Sequence, residues 1–215
     1  MISDSFPWRE ELLRVAGRLE KRKAQRRWTE RTMFLVERDI MISAYAIRKL
    51  KEANKISDRL RDERIRVQRH DLIDRVPDVQ NGHRFWQFYD FERATDVELK
   101  MTDLCNQIIH SWIWGVAAED EGGLAGIYVS SDRERRKCVY LVEVDTLIEL
   151  FRSIGHEDIV EIRMRRDQKG EMQYVGVVGT DTRKHPEGYL MTGEAANPGL
   201  EAALREYHQR DEAAR

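Results

Sequence analysis

The chain is poor in the residue types that mark several common classes of protein. Its two cysteines, Cys105 and Cys138, are too few for a disulfide framework and form no Cys-x-x-Cys pair, which favours a reducing cytoplasm. The N-terminus has no basic region followed by an apolar run, so we expect no signal peptide. No apolar run approaches the ~20 residues that a membrane span requires. These absences predict a soluble, cytoplasmic protein.

Signatures of metal, nucleotide and nucleophile chemistry are also missing. The histidines outside the motif described below are scattered without paired metal spacing: His70, His83, His156, His185 and His208. We therefore expect no zinc or other metal site. Gly122-Gly123 and Gly126 do not form a dinucleotide fingerprint, and no Lys-Ser/Thr pair follows a glycine loop, so no cofactor is expected. Ser130-Ser131-Asp132 is typical of a turn and not of a catalytic serine.

Charge is abundant, balanced and unevenly distributed. Against 39 acidic residues stand 37 lysines and arginines, giving a net charge of −2. One short segment is strongly basic, with only Glu20 and Glu30 opposing Arg18, Lys21, Arg22, Lys23, Arg26, Arg27 and Arg31. Such a segment can contact the phosphates of a nucleic acid, with a steep salt dependence. It can equally be a solvated helix face balanced by acidic neighbours.

The first half of the sequence is dominated by helical periodicity. Leu12 to Leu19 follow Pro7 at helical spacing, and Thr29 is placed to cap a second helix that runs to about residue 54. The apolar arc of this second helix is broad, which predicts a central helix covered on most of its circumference. A third helix is predicted from about Thr95 to Trp114. Five aromatic residues between Phe85 and Phe91 are expected to hold a long loop against the helical core, or else to stack on bases.

Alternating patterns dominate the second half. Gly126–Ser130 and 137–144 form one predicted hairpin, and 159–164 and 172–178 form another. A short helix begins after Asp145 and ends at Gly155. The predicted fold is therefore α+β. It has a helix-rich N-terminal half of antiparallel helices, then a small, mostly antiparallel four-stranded sheet with one inserted helix, and a C-terminal helix opening at Asn197-Pro198. The regions 1–118 and 119–215 are expected to pack as one unit.

One arrangement on the third predicted helix has the residue types for catalysis. Asn106 and His110 are four residues apart and project from one helix face. A histidine there can act as an acid or base near neutral pH, and the asparagine can orient its ring or a phosphate. The alternative is a histidine satisfied by one hydrogen bond in or near the core, with Asn106 bonded to a neighbouring loop.

The segment from Cys105 to His110 resembles the motif of the HEPN superfamily, helical proteins common in toxin–antitoxin and antiviral systems. That motif is an arginine, a polar residue such as asparagine, a short spacer and a histidine. Asn106 matches the polar position and His110 the histidine, while Cys105 stands where the family has its arginine. A thiol lacks the fixed charge and paired donors of a guanidinium. The resemblance implies a helical homodimer whose site lies between subunits and cleaves RNA without a metal.

Three hypotheses follow. The first is an RNA-associated, HEPN-like protein, a degenerate or accessory ribonuclease of a bacterial defence or toxin–antitoxin system. His110 and Asn106 would form its site, and the basic segment Arg18–Arg31 its phosphate-contacting surface. The second is a non-enzymatic interaction or regulatory module in which the second helix and the sheet dock a partner protein and His110 is structural. The third is an enzyme of another type that uses a cleft between helices and sheet.

Overall fold

A computed structural model of the protein describes residues 4–183, and the predicted C-terminal helix lies outside them. The α-helices of this part are α1 (Phe6–Arg22), α2 (Glu30–Glu52), α3 (Asp58–Arg61), α4 (Met101–Ile109) and α5 (Val144–Gly155). The strands are β1 (Arg64–Asp71), β2 (Thr95–Lys100), β3 (Ser111–Ala118), β4 (Leu124–Ser131), β5 (Cys138–Glu143), β6 (Glu157–Arg166) and β7 (Met172–Asp181). Two 3-10 turns lie at Gly82–Gln87 and Glu134–Arg136. The α+β class is confirmed.

The long helices begin and end where local chemistry favours it. Pro7 occupies the first turn of α1, where its missing N–H costs nothing. The predicted cap of α2 is confirmed, because the Thr29 hydroxyl accepts from the Thr32 backbone N–H at 3.2 Å and the Thr32 hydroxyl accepts from the Thr29 N–H at 2.8 Å. This reciprocal capping satisfies two of the N–H groups that a helix start leaves unpaired.

Five strands form one antiparallel sheet in the order β2-β1-β5-β4-β3. The four-stranded sheet predicted from two hairpins is wrong. Only the hairpin of β4 and β5 belongs to this sheet, whereas β6 and β7 pair with each other in a separate two-stranded sheet. The main sheet also joins the two sides of the boundary predicted after residue 118, because β3 pairs with β4.

The third predicted helix is too long at both ends. Residues 95–100 are β2, which pairs with β1, and residues 111–118 are β3, so only the nine residues of α4 are helical. Leu104, Ile108 and Trp112 have helical spacing, but Trp112 belongs to β3 and is not part of the helix. Three strands thus lie within residues 1–118, and the prediction of a helical N-terminal half is correct only as far as α3.

The two faces of the sheet are covered differently. Helices α4 and α5 pack on one face, with α2 against α4 and α1 against α5. The opposite face is covered by a second apolar cluster, in which Phe85, Phe88 and Tyr89 contact Ile113 and Val139 of the sheet. The aromatic loop is therefore held against the sheet and not against the helices, which corrects the prediction. Its rings are mostly buried, as an anchoring role requires.

The β6–β7 hairpin is anchored to the start of α3 by buried polar contacts. The carboxylate of Glu157 is 1% exposed and accepts hydrogen bonds from the hydroxyl and the backbone N–H of Ser57, the latter at 2.9 Å. Asp58 accepts from the Val177 N–H, also at 2.9 Å. A buried carboxylate needs such donors to offset its lost hydration. Within the described range, no helix combines the length and apolarity needed to cross a bilayer.

Candidate functional site

Helix α4 presents a row of polar side chains beside the sheet. Thr102, Asn106 and His110 follow one another at four-residue spacing, so they lie along one face of the helix. His110 is the residue at which the helix ends, and its side chain is exposed. Its ring has no hydrogen-bond partner among residues 4–183. The imidazole is thus free to contact a ligand, and this position differs from the satisfied core histidine that was the alternative.

The side chain at position 105 is buried, unlike those of the polar row. Cys105 is 1% exposed within the core formed by α2, α4 and the sheet. Burial raises the pKa of its thiol to about 12, because the thiolate would lose its hydration there. The residue that stands where the HEPN motif has its arginine is therefore neutral and out of reach of the polar face.

A guanidinium nevertheless lies beside Asn106. Arg48 on α2 donates from Nη1 to the Asn106 Oδ1 at 3.2 Å and from Nε to Glu52 at 3.2 Å. Its remaining N–H groups are available to an anion, since guanidinium carries five donors. No local pattern in the sequence indicates Arg48, because it lies 58 positions before Asn106 in the chain.

The row on α4 borders an open groove of about 720 Å³. Its other wall is the turn between β4 and β5, and its lining comprises Arg48, Leu99, Asp103, Asn106, Gln107, His110, Ser131, Asp132, Arg133, Glu134 and Tyr140. Two of the acidic side chains are already paired, Asp132 with Arg135 at 2.8 Å and Glu134 with Lys137 at 3.0 Å. Arg133 has no ion-pair partner in the described part of the chain. Asp103, the third acidic lining residue, has no ion-pair partner among residues 4–183. The groove therefore offers an imidazole, two side-chain amides and two guanidinium groups to an anionic ligand, together with one unpaired carboxylate.

A smaller recess of about 300 Å³ adjoins the groove and shares Arg48 and Asn106 with it. Its other lining residues are Lys51, Glu52, Arg61 and Thr102. Lys51 donates to the hydroxyl of Thr102. We call this space the second recess.

The basic segment lies far from both spaces. It forms the end of α1, the following loop and the start of α2, and Trp28 in that loop donates to the Gly122 carbonyl at 2.5 Å. The end of α1 also lies close to Gly123, where a Cβ would be only 2.1 Å from the Lys23 carbonyl oxygen, so glycine is required at this position. The turn at Gly122 follows the far end of β3, whereas His110 precedes its start. At 3.3 Å per residue the eight-residue strand places the loop that contacts Gly122 about 23 Å from His110.

Ion pairs occupy part of the basic segment. Arg18 donates to Asp39 at 2.7 Å and to Glu11 at 2.8 Å, and the hydrogen bond to Asp39 raises the pKa of its guanidinium. Lys23 donates to Asp145 at 2.6 Å. The other members have no carboxylate partner within residues 4–183: Lys21, Arg22, Arg26, Arg27 and Arg31. The structure thus brings Asn106 and His110 together in one groove and leaves these cations on a separate surface.

Two further arginines are engaged in contacts outside the groove. Arg135 is 4.0 Å from the centre of the Trp112 ring and donates to the Pro77 carbonyl, so it holds the aromatic loop in place. Arg163 donates to Glu161 on the separate hairpin. Among the described residues, no group of three or more histidine, cysteine or acidic side chains is placed to bind a metal ion.

Comparisons with known proteins give no relative: no family model, no curated protein and no solved structure matches the chain. The HEPN resemblance therefore stays a prediction that depends on Asn106 and His110.

Proposed function

We propose that this protein binds RNA in the groove between α4 and the β4–β5 turn, and that it cleaves the strand there without a metal. The observation that carries the proposal is the arrangement of Arg48, Asn106 and His110. A charged guanidinium is hydrogen-bonded to the amide, and an exposed imidazole lies one helical turn further on. A phosphodiester needs a cation for its non-bridging oxygens and a base for the attacking hydroxyl, and this arrangement has both.

The chemistry follows from the groups present. Arg48 binds the non-bridging oxygens, while neutral His110 takes the proton of the ribose 2′-hydroxyl. The 2′-oxygen then bonds to phosphorus and the bond from phosphorus to the 5′-oxygen breaks. The leaving oxygen takes a proton from solvent, and the imidazolium returns its proton to solvent. The products are a 2′,3′-cyclic phosphate and a 5′-hydroxyl.

The HEPN resemblance adds a biological context to this proposal. It favours a ribonuclease, or a degenerate accessory protein, of a bacterial defence or toxin–antitoxin system. The family's arginine is absent from position 105, and in our proposal Arg48 replaces it from the neighbouring helix. The basic segment Arg18–Arg31 is kept as a separate phosphate-contacting surface for longer RNA.

A cleavage assay in EDTA tests the proposal. A labelled single-stranded RNA is incubated with the wild type, with His110→Ala and with His83→Ala, which removes another exposed histidine outside the groove. We expect cleavage by the wild type and by His83→Ala, and a loss of about 10²-fold or more in His110→Ala. Equal cleavage by all three proteins would remove His110 from the mechanism.

A second candidate function is an interaction module, and the outer face of α2 favours it. Phe34, Ile42 and Tyr45 are 57%, 48% and 49% exposed, which contradicts the prediction that α2 is covered on most of its circumference. The three side chains lie in one sector of α2, with the exposed Arg38 between Phe34 and Ile42. Apolar side chains exposed on one helix face are typical of a binding surface. We propose a second copy of this chain as the occupant, because the resemblance implies a homodimer and one helix face can pair with itself about a two-fold axis.

A further inference from the structure

The second recess lies beside the proposed reaction centre, and three of its six lining residues are cationic. Arg48, Lys51 and Arg61 line it, and Glu52 is its one acidic lining residue. Glu52 already accepts from Arg48 at 3.2 Å and from Lys49 at 2.7 Å, so its charge is offset. Arg61 is paired with Asp58 at 3.2 Å. Lys51 has no carboxylate partner among residues 4–183, and its ammonium is thus the uncompensated charge of the recess.

The recess and the groove share a regular order along α4. Lys51 reaches Thr102 and Arg48 reaches Asn106, because α2 and α4 run antiparallel side by side. His110 follows at the next four-residue step. At 1.5 Å per residue these steps are about 6 Å long, so three polar positions succeed one another in a line. A line of this kind fits a chain with repeated anionic groups better than a compact ligand.

We propose that the second recess binds the phosphate next to the one held by Arg48 and His110. This inference rests on the proposed function and makes it more specific. The substrate class is a single-stranded RNA with at least two consecutive phosphates, and Lys51 with Arg61 binds the second of them. The polar row on α4 can contact the backbone of only one RNA strand, and an unpaired RNA can extend its backbone along such a row.

Kinetics with two short substrates test the inference. A dinucleoside monophosphate carries one phosphate and a trinucleoside diphosphate carries two. We expect the wild type to prefer the longer substrate by about tenfold or more in kcat/KM, and Lys51→Ala to reduce that ratio toward one. Lys51→Arg keeps the charge and should retain the preference. Lys169→Ala removes an exposed lysine from the turn between β6 and β7 and is the matched control.

A binding measurement makes the test independent of cleavage. A 2′-O-methyl RNA oligonucleotide cannot react at its 2′-oxygen, and its affinity is measured at several salt concentrations. A variant that binds one phosphate fewer should show a slope of log K against log salt that is smaller by about 0.7. We expect that decrease in Lys51→Ala and in Arg61→Ala, and not in Lys169→Ala.

The two measurements separate this inference from the function on which it rests. If the wild type cleaves neither substrate while Lys51→Ala still lowers the slope, the cleavage proposal fails and phosphate binding in the recess is supported. An unchanged slope in Lys51→Ala overturns the inference, whether or not the protein cleaves RNA. A wild type that cleaves both substrates with the same kcat/KM overturns it as well.

Discussion

Arg48 on α2 donates a hydrogen bond to the side-chain carbonyl of Asn106 on α4 at 3.2 Å. The contact joins two helices at the point where the groove and the second recess meet. It fixes the amide and holds the guanidinium toward the space that His110 borders. A guanidinium that is already held in that orientation needs little reorganisation when an anion binds, which is the main advantage of a preorganised site.

Removing the guanidinium should impair cleavage strongly. Arg48→Ala is expected to lower kcat by about 10²–10³-fold, as loss of one preorganised oxyanion donor does in other sites. Arg48→Lys keeps the charge but not the fork of donors, so we expect partial recovery. Arg14→Ala is the control, since Arg14 is an exposed arginine on α1 that is paired with Glu10 and Glu11. Single-turnover rates on a labelled RNA give the comparison, and a rate for Arg48→Ala equal to that of Arg14→Ala would exclude this role.

The basic segment should matter only for long RNA. Arg26→Glu combined with Arg27→Glu leaves the groove intact, because the loop that carries both residues contacts Gly122, about 23 Å along β3 from His110. We expect the double variant to bind a tetranucleotide like the wild type and to bind a strand that spans both surfaces more weakly, with a smaller salt dependence. Fluorescence anisotropy with both RNAs measures this. If the affinity for the long strand is unchanged, the segment does not contact RNA and is a solvated helix face.

The outer face of α2 should control the oligomeric state. Ile42→Glu places a charge in the middle of the exposed apolar face, where a second copy would have to bury it. We expect the wild type to be a dimer and this variant a monomer of unchanged helical content, as measured by light scattering and circular dichroism. Ile73→Glu alters another exposed apolar residue and should remain dimeric. A monomeric wild type at high concentration would contradict the self-association proposal.

Glu63 should make stability depend on pH. Burial raises the pKa of its carboxyl above the ordinary 4.5, and one of its oxygens is buried without a hydrogen-bond partner. A raised pKa in the folded state means that folding binds protons, so this contribution to stability decreases as pH rises from 4.5 through the folded pKa. Glu63→Gln should therefore raise the melting temperature at pH 7 and change it less at pH 4. A larger gain at pH 4 than at pH 7 would contradict this account.

The sequence predicted long helices and strands more accurately than short ones. The N-terminal cap and the buried stripe of α2 were predicted correctly, because 23 residues give several turns of periodicity. The nine residues of α4 could not be bounded, since Val97 and Leu99 on one side and Trp112 on the other extend a helical pattern by coincidence. Their strand conformation is set by pairing with β1 and β4, a long-range effect that local patterns do not contain.

The candidate site was predictable only where it is local. Asn106 and His110 share one helix face, so their spacing predicted their proximity. Arg48, Lys51 and Arg133 reach the same region from other elements, and only the tertiary fold could reveal them. The exposure of Phe34 and Tyr45 was equally hidden, because a broad apolar arc looks the same whether it is covered within one chain or by another chain.

Analysis of product ends tests the central claim most directly. One labelled single-stranded RNA is incubated in EDTA with the wild type and with His110→Ala, beside a DNA strand of the same sequence that lacks the 2′-hydroxyl. We predict RNA fragments with 2′,3′-cyclic phosphate and 5′-hydroxyl ends from the wild type, intact DNA, and intact RNA with His110→Ala. Intact RNA with the wild type, or the same fragments from His110→Ala, would contradict the claim that this groove cleaves RNA through His110.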